Sequence, residues 1–79
     1  MTLVESISKR LKQLLKEKKM TQYQLFIKTG VPQSTISTII NNNVEKIMLN
    51  TLYDICIGLD MELHEFLNDI SLYRKNLDE

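Results

Sequence analysis

Gln22-Tyr23-Gln24-Leu25-Phe26-Ile27-Lys28-Thr29-Gly30-Val31-Pro32-Gln33-Ser34-Thr35-Ile36-Ser37 is the stretch on which the fold turns. Thr21, immediately before it, suits the N-cap of a short helix over Gln22 to Thr29 that buries Leu25 and Phe26. Gly30 supplies the left-handed residue that ends this helix, and a β-branched residue, Val31, follows. Pro32 suits the first turn of a next helix, running to about Asn41 with Ile36, Ile39 and Ile40 inward. Asn41-Asn42-Asn43 then stops it, because Asn tolerates the left-handed conformation better than most residues. The pattern is two short helices joined by a tight turn.

Outward from this stretch the chain is helical on both sides. Val4, Ile7, Leu11 and Leu14 recur at three- and four-residue steps, an amphipathic stripe that predicts a helix from about Thr2 to Lys18. Lys9, Lys12, Lys16 and Lys19 gather on one flank of that helix, off the stripe. After a loop through Met48, the residues Leu49, Leu52, Ile55, Cys56 and Leu59 predict a fourth helix, capped by Gly58 to Asp60. Leu63, Phe66 and Leu67 predict a fifth. Ile70, Tyr73 and Leu77 step by three and four, consistent with a short sixth helix or with a frayed terminus. No segment shows sustained strand alternation, so the fold class is all-α. The expected organisation is one domain over residues 1–69 and a tail or short helix over 70–79.

Composition narrows the function. With 79 residues, 43% of them hydrophobic and 25% charged, the chain is too apolar for a disordered tail and about the size of a minimal binding module. One Cys excludes an internal disulfide, and one Cys with one His is too few for a closed zinc site, so no metal or cofactor is expected. No apolar run approaches the ~20 residues of a membrane span, and Glu5 and Ser6 stand where a signal peptide would be apolar. A cytoplasmic location is the expectation. The net charge of zero conceals two poles. Residues 1–30 carry seven basic against two acidic residues, and residues 31–79 carry three basic against eight acidic. Such asymmetry points to a polyanionic partner. From Thr29 to Val44 there is no charge at all.

The central stretch has the form of a helix-turn-helix, whose second helix lies in the DNA major groove. Met20-Thr21-Gln22-Tyr23-Gln24-Leu25, then Gly30-Val31-Pro32-Gln33-Ser34-Thr35-Ile36-Ser37, then Leu49-Asn50-Thr51-Leu52-Tyr53-Asp54-Ile55-Cys56 with Gly58-Leu59 resemble the Cro/phage-repressor type (XRE family) of DNA-binding regulators. The resemblance covers roughly Ile7 to Asp69. It implies a compact five-helix, lambda-repressor-like domain that binds double-stranded DNA as a small transcriptional regulator, most simply a repressor, acting as a homodimer. By the same resemblance Gln33, Ser34 and Thr38 match base-reading positions, and the chemistry agrees. Gln bonds adenine through two atoms, and Ser or Thr pairs with several bases or touches a thymine methyl. Gln22, Thr35, Ser37 and Asn41 match phosphate-contacting positions, where amides, hydroxyls and helix N-terminal N–H groups bind phosphate without net charge. Lys12 and Lys16 would add long-range attraction from the first helix.

The departures are informative too. Where the family commonly pairs an Arg on the first helix with a Glu near the end of the recognition helix, this chain has Leu15 and Ile40, a joint replacement of an ion pair by packing. Phe26 replaces a small residue, Asn42 replaces Gly, and the following loop reads Asn43-Val44-Glu45-Lys46-Ile47 in place of the usual Lys and Pro. Elsewhere the plain readings are favoured: Cys56 as a small core residue, His64 on a solvated face, Tyr23 and Tyr53 as helix packing. The Ser34-Thr35-Ser37-Thr38 cluster has no His or acid to activate it, so no enzyme is expected. A rival of a different class is a protein-interaction module, an antitoxin, anti-repressor or adaptor, that grips a second protein through the fifth helix and the tail. Met48 and Ile47 are further exposed candidates for such a contact.

Overall fold

Thr2 and Glu5 open the first helix by exchanging hydrogen bonds. The Glu5 N–H donates to Thr2 Oγ1 at 3.2 Å, and the Thr2 N–H donates to Glu5 Oε1 at 2.9 Å. The Thr2 bonds hold the Glu5 carboxyl below the usual carboxylate range. Thr21 and Gln24 repeat this arrangement at the second helix, as do Glu62 and Glu65 at the fifth. In the computed structural model, which describes residues 1–78, these starts give α1 (Leu3–Glu17), α2 (Gln22–Thr29), α3 (Gln33–Ile40), α4 (Leu49–Gly58) and α5 (Leu63–Leu67). No strand occurs among the described residues. Glu79 and the side chain of Ile70, which entered the charge count and the tail pattern, lie outside the description.

Three of the helices end alike. Each closes with a left-handed residue that is not glycine: Lys19 (φ 53°), Asn42 (φ 56°) and Asp60 (φ 56°). At the end of α3 the Asn42 N–H donates to the Ile39 carbonyl and the Asn43 N–H to the Thr38 carbonyl, the paired bonds of a Schellman ending. Lys19 with Met20, and Asp60 with Met61, make the equivalent pairs on α1 and α4. The residues after them, Met20 and Met61, are half-buried against the core, which anchors the strained residue from its C-terminal side.

The fully buried side chains Leu11, Leu25, Ile36, Ile55, Leu59 and Phe66 come one from nearly every element, so a single core joins them. Two glycines serve opposite needs. Gly30 has φ 74° and open space around it, and is required for conformation alone. Gly58 was expected in the cap of α4, but it is the last helical residue, and the left-handed residue is Asp60. Its role is closeness: an added Cβ would stand 2.3 Å from Thr29 Cγ2 and 2.9 Å from Leu25 Cδ1. Thr29 in turn fixes the turn, donating to the Leu25 carbonyl at 2.8 Å and accepting the Val31 N–H at 3.0 Å.

Burial and the tail differ in detail from the sequence pattern. Leu49 is 63% exposed, because the buried stripe of α4 is Leu52, Ile55, Cys56 and Leu59, and Leu49 starts a separate, outer row. Ile47 is half-buried rather than exposed, whereas Met48 is exposed. The tail forms two 3₁₀ turns, Ile70–Leu72 and Arg74–Asn76, in place of a sixth helix. The Asp69 carboxylate accepts both the N–H (3.1 Å) and the O–H (2.6 Å) of Ser71, a local bond that competes with helix formation and holds the Asp69 carboxyl below its ordinary range. Ser6, fully buried on α1, donates to the Ser71 carbonyl at 3.0 Å, and Leu72 packs against the core. Arg10 donates to the carbonyls of Phe66 (2.9 Å) and Glu65 (3.1 Å), satisfying the C-terminal end of α5 and tying it to α1.

Gly58→Ala removes a helix-weakening residue yet is expected to lower stability by about 1–3 kcal/mol, since Thr29 and Leu25 must give way. Denaturant midpoints of the two proteins test this; an unchanged or raised midpoint would mean that α2 and α4 can separate freely.

Candidate nucleic-acid interface

α3 buries Ile36, Ile39 and Ile40 and turns a wholly uncharged polar face outward. At 100° per residue, Ser34, Thr38 and Asn41 lie near the centre of that face, with Gln33 and Ser37 on one side of it and Thr35 on the other. Gln33, Ser34, Thr38 and Asn41 are exposed, and Thr35 and Ser37 half-buried. The helix opens at Pro32 without a side-chain cap, so its first N–H groups keep their hydrogen-bonding capacity.

Hydrogen bonds within α3 set what each group can offer. The Thr38 hydroxyl donates to the Thr35 carbonyl at 2.8 Å, which leaves its lone pairs as acceptors and its methyl group for apolar contact. Ser37 Oγ accepts from Asn41 Nδ2 at 3.2 Å, so its own hydrogen remains available to an anion. In α2 the exchange between Thr21 and Gln24 (2.8 and 3.1 Å) satisfies those two amides. The N–H groups of Gln22 and Tyr23 have no intrahelical acceptor, and the exposed Gln22 side chain stands beside them.

α1 meets the far end of α3. Ser8, buried, donates to the Ile40 carbonyl at 3.0 Å and thereby satisfies a C-terminal carbonyl of the outward-facing helix. Lys12 follows Ser8 by one turn and Lys16 by two, and both are exposed. Leu15 and Ile40 are buried in the same core, at 7% and 9% exposure, so the places of the expected ion pair are filled by packing. Not every cation of the basic pole is available. Arg10 is committed to the end of α5 and lies 3.8 Å from Asp69.

Lys46 is the one cation between Lys28 and Arg74, and the motif assigns it no role. It lines a shallow groove with Thr35 and Thr38 of α3, and with Met48 and Thr51 at the start of α4. Its isolation in an otherwise acidic half was the available signal. Tyr23 and Tyr53 depart from their assignment as packing residues: they are 57% and 54% exposed, Tyr23 tilted against the half-buried Phe26 with ring centroids 6.1 Å apart. Cys56 is buried, and burial pushes its thiol up to about 11. His64 is exposed.

A family model for Cro/C1-type helix-turn-helix DNA-binding domains matches residues 10–71. The chain belongs to that family. The match spans α2, the Gly30 turn and α3 together with the α4–α5 scaffold beneath them. DNA binding is therefore the activity of this Cro/C1-type domain. No curated protein matches the chain. No helix among the described residues is long and apolar enough to cross a membrane.

The joint burial of Leu15 and Ile40 can be tested by restoring charge. Leu15→Arg or Ile40→Glu alone is expected to destabilise by roughly 3–5 kcal/mol, the effect of an uncompensated buried charge, and the double variant by clearly less than the sum. Strict additivity in a double-mutant cycle would show that the two side chains do not meet.

Proposed function

We propose that this protein is a sequence-specific double-stranded DNA-binding transcriptional regulator, most simply a repressor, that acts as a homodimer with α3 in the major groove. The observation that carries this reading is the outer face of α3: six polar, uncharged side chains on a rigid helix whose other face is sealed into the core. In this reading Gln33, Ser34 and Thr38 contact base edges, and Gln22, Thr35, Ser37 and Asn41 contact phosphates. Lys12 and Lys16 supply attraction to the backbone from α1. A single domain of this size gives a small interface, so two copies on a two-fold site with half-sites one turn apart account for useful affinity. A location in the compartment that holds DNA follows.

The rival reading, a grip on a second protein through α5 and the tail, finds less support. Phe66 is buried, Leu63 and Leu67 are half-buried, and Tyr73 is the large exposed apolar side chain in that region among the described residues.

Selection of binding sites from a random duplex pool, followed by affinity measurements on the selected site, tests the proposal. Gln33→Ala is expected to weaken binding to that site by about 1–3 kcal/mol while leaving affinity for unrelated DNA alone. Equal losses on both duplexes would remove Gln33 from base reading. Replacing Lys12 and Lys16 together by Ala is expected to lower the salt slope of binding by up to about two. An unchanged slope would mean that this flank is merely solvated.

A further inference from the structure

We propose that the groove between α3 and the start of α4 receives the 5-methyl group of a thymine, held between the Thr38 methyl and the Met48 side chain; this rests on the DNA-reading role of α3 proposed above. Thr35 and Thr38 of α3, Val44 and Lys46 of the following loop, and Met48 and Thr51 at the start of α4 line this groove. It is continuous with the outer face of α3, because Thr38 lies near the centre of that face and also lines the groove.

Two side chains there forgo their usual roles. Met48 is the N-cap of α4, the position at which Ser, Thr, Asp or Asn would bond a free N–H of the first turn, and it makes no such bond. It is also 70% exposed, so it does not serve the core. Its backbone is nevertheless fixed, since its carbonyl accepts the Leu52 N–H at 3.1 Å. A long apolar side chain on a fixed backbone, neither capping nor buried, is a local departure of the kind found at binding sites. Thr38 departs in the other direction. Its hydroxyl is turned onto its own helix, donating to the Thr35 carbonyl at 2.8 Å, which leaves the methyl group for apolar contact with a ligand.

The chemistry of the occupant follows from the lining. Val44, the Thr38 methyl and the Met48 thioether supply apolar surface, and Lys46 supplies one cation. Glu45, its chain neighbour, lines depressions beside α1 and not this groove. A wholly apolar occupant would strip water from the Lys46 ammonium without giving it a partner. A fitting ligand instead carries a small apolar group beside hydrogen-bond acceptors. Along the major groove that combination belongs to thymine, whose C5 methyl stands next to its O4 acceptor, whereas the other three bases present polar groups there.

The test uses the full chain and the duplex selected from the random pool, with each thymine replaced in turn by uracil, which removes the C5 methyl and nothing else. One thymine per bound copy of the chain is expected to bind about fourfold more weakly as uracil, the effect of one buried methyl group. Met48→Ser, which introduces a residue suited to the N-cap, is expected to bind the two duplexes alike at that thymine. Thr38→Ser, which keeps a hydroxyl for the Thr35 carbonyl and loses only the methyl, is expected to reduce the same preference. Both positions are exposed, and unchanged discrimination at the other base pairs shows that the variants are folded. If wild type binds the thymine and uracil duplexes equally at every position, the groove is not a methyl site, while selection of a sequence leaves the reading role of α3 standing. If uracil weakens wild type and both variants equally, the methyl lies against other residues and the assignment to this groove is overturned. If no sequence is selected from the pool, the groove and the reading role of α3 fall together.

Discussion

The missing Cβ of Gly58 is the constraint on which the arrangement of α3 depends. It lets the end of α4 come against Thr29 and Leu25 of α2, at distances no side chain would permit. Thr29 is thereby pressed into place by its methyl group while its hydroxyl ties the Leu25 carbonyl to the Val31 N–H. That hydroxyl spans the turn in which Gly30 takes its left-handed conformation, and α3 begins three residues later. The angle between α2 and α3 is thus set from below by α4, not by the turn alone. A β-branched residue at position 29 is suited to both tasks at once, and a serine would keep the hydrogen bonds while losing the methyl contact.

α1 works as a strut, through polar groups rather than through its charges. Ser8 closes the C-terminal end of α3, Arg10 closes that of α5, and Ser6 holds the first 3₁₀ turn of the tail. Each donates to carbonyls at the end of a helix or within the first turn of the tail, so three elements are held at fixed heights along one helix. Leu15 and Ile40 add apolar packing where relatives commonly place an ion pair. Packing of this kind does not depend on salt, so the seat of α3 on α1 holds at ionic strengths that would screen a charge pair.

The helices were legible because their apolar steps and their starting residues agree. Thr2, Thr21 and the Glu or Gln three residues on are visible in the text of the chain, and the elements begin where they stand. The ends were less legible. Lys19 in a left-handed conformation breaks the usual rule, and only the half-buried Met20 beyond it explains how it is held. The burial of α4 was not legible at Leu49, because the periodicity of an apolar helix shows that two rows exist and not which one faces the core. Ser6 and Ser8 gave no signal, since a serine inside an amphipathic pattern reads as a small polar residue until its acceptor is known. For the candidate site, the residues of α2 and α3 follow from their place in the motif. Lys46 required the fold, because the loop after α3 turns it back beside Thr35 and Thr38.

The zero net charge and the uncharged face of α3 bear on the same question. Electrostatic attraction to phosphate is what gives DNA-binding domains their non-specific affinity and their steep salt dependence. Here the outer face of α3 carries no cation, and Arg10 is spent inside the protein. The acidic pole, Asp54 to Asp69, lies on α4 and α5 and the segments that join and follow them. Such a distribution orients the domain on approach while adding little to its grip. In the function proposed above, affinity then comes from matched contacts to bases and from two domains on one site. On that proposal, binding with this charge pattern responds to sequence and to protein concentration more than to salt, which suits a regulator whose occupancy of a site follows its abundance.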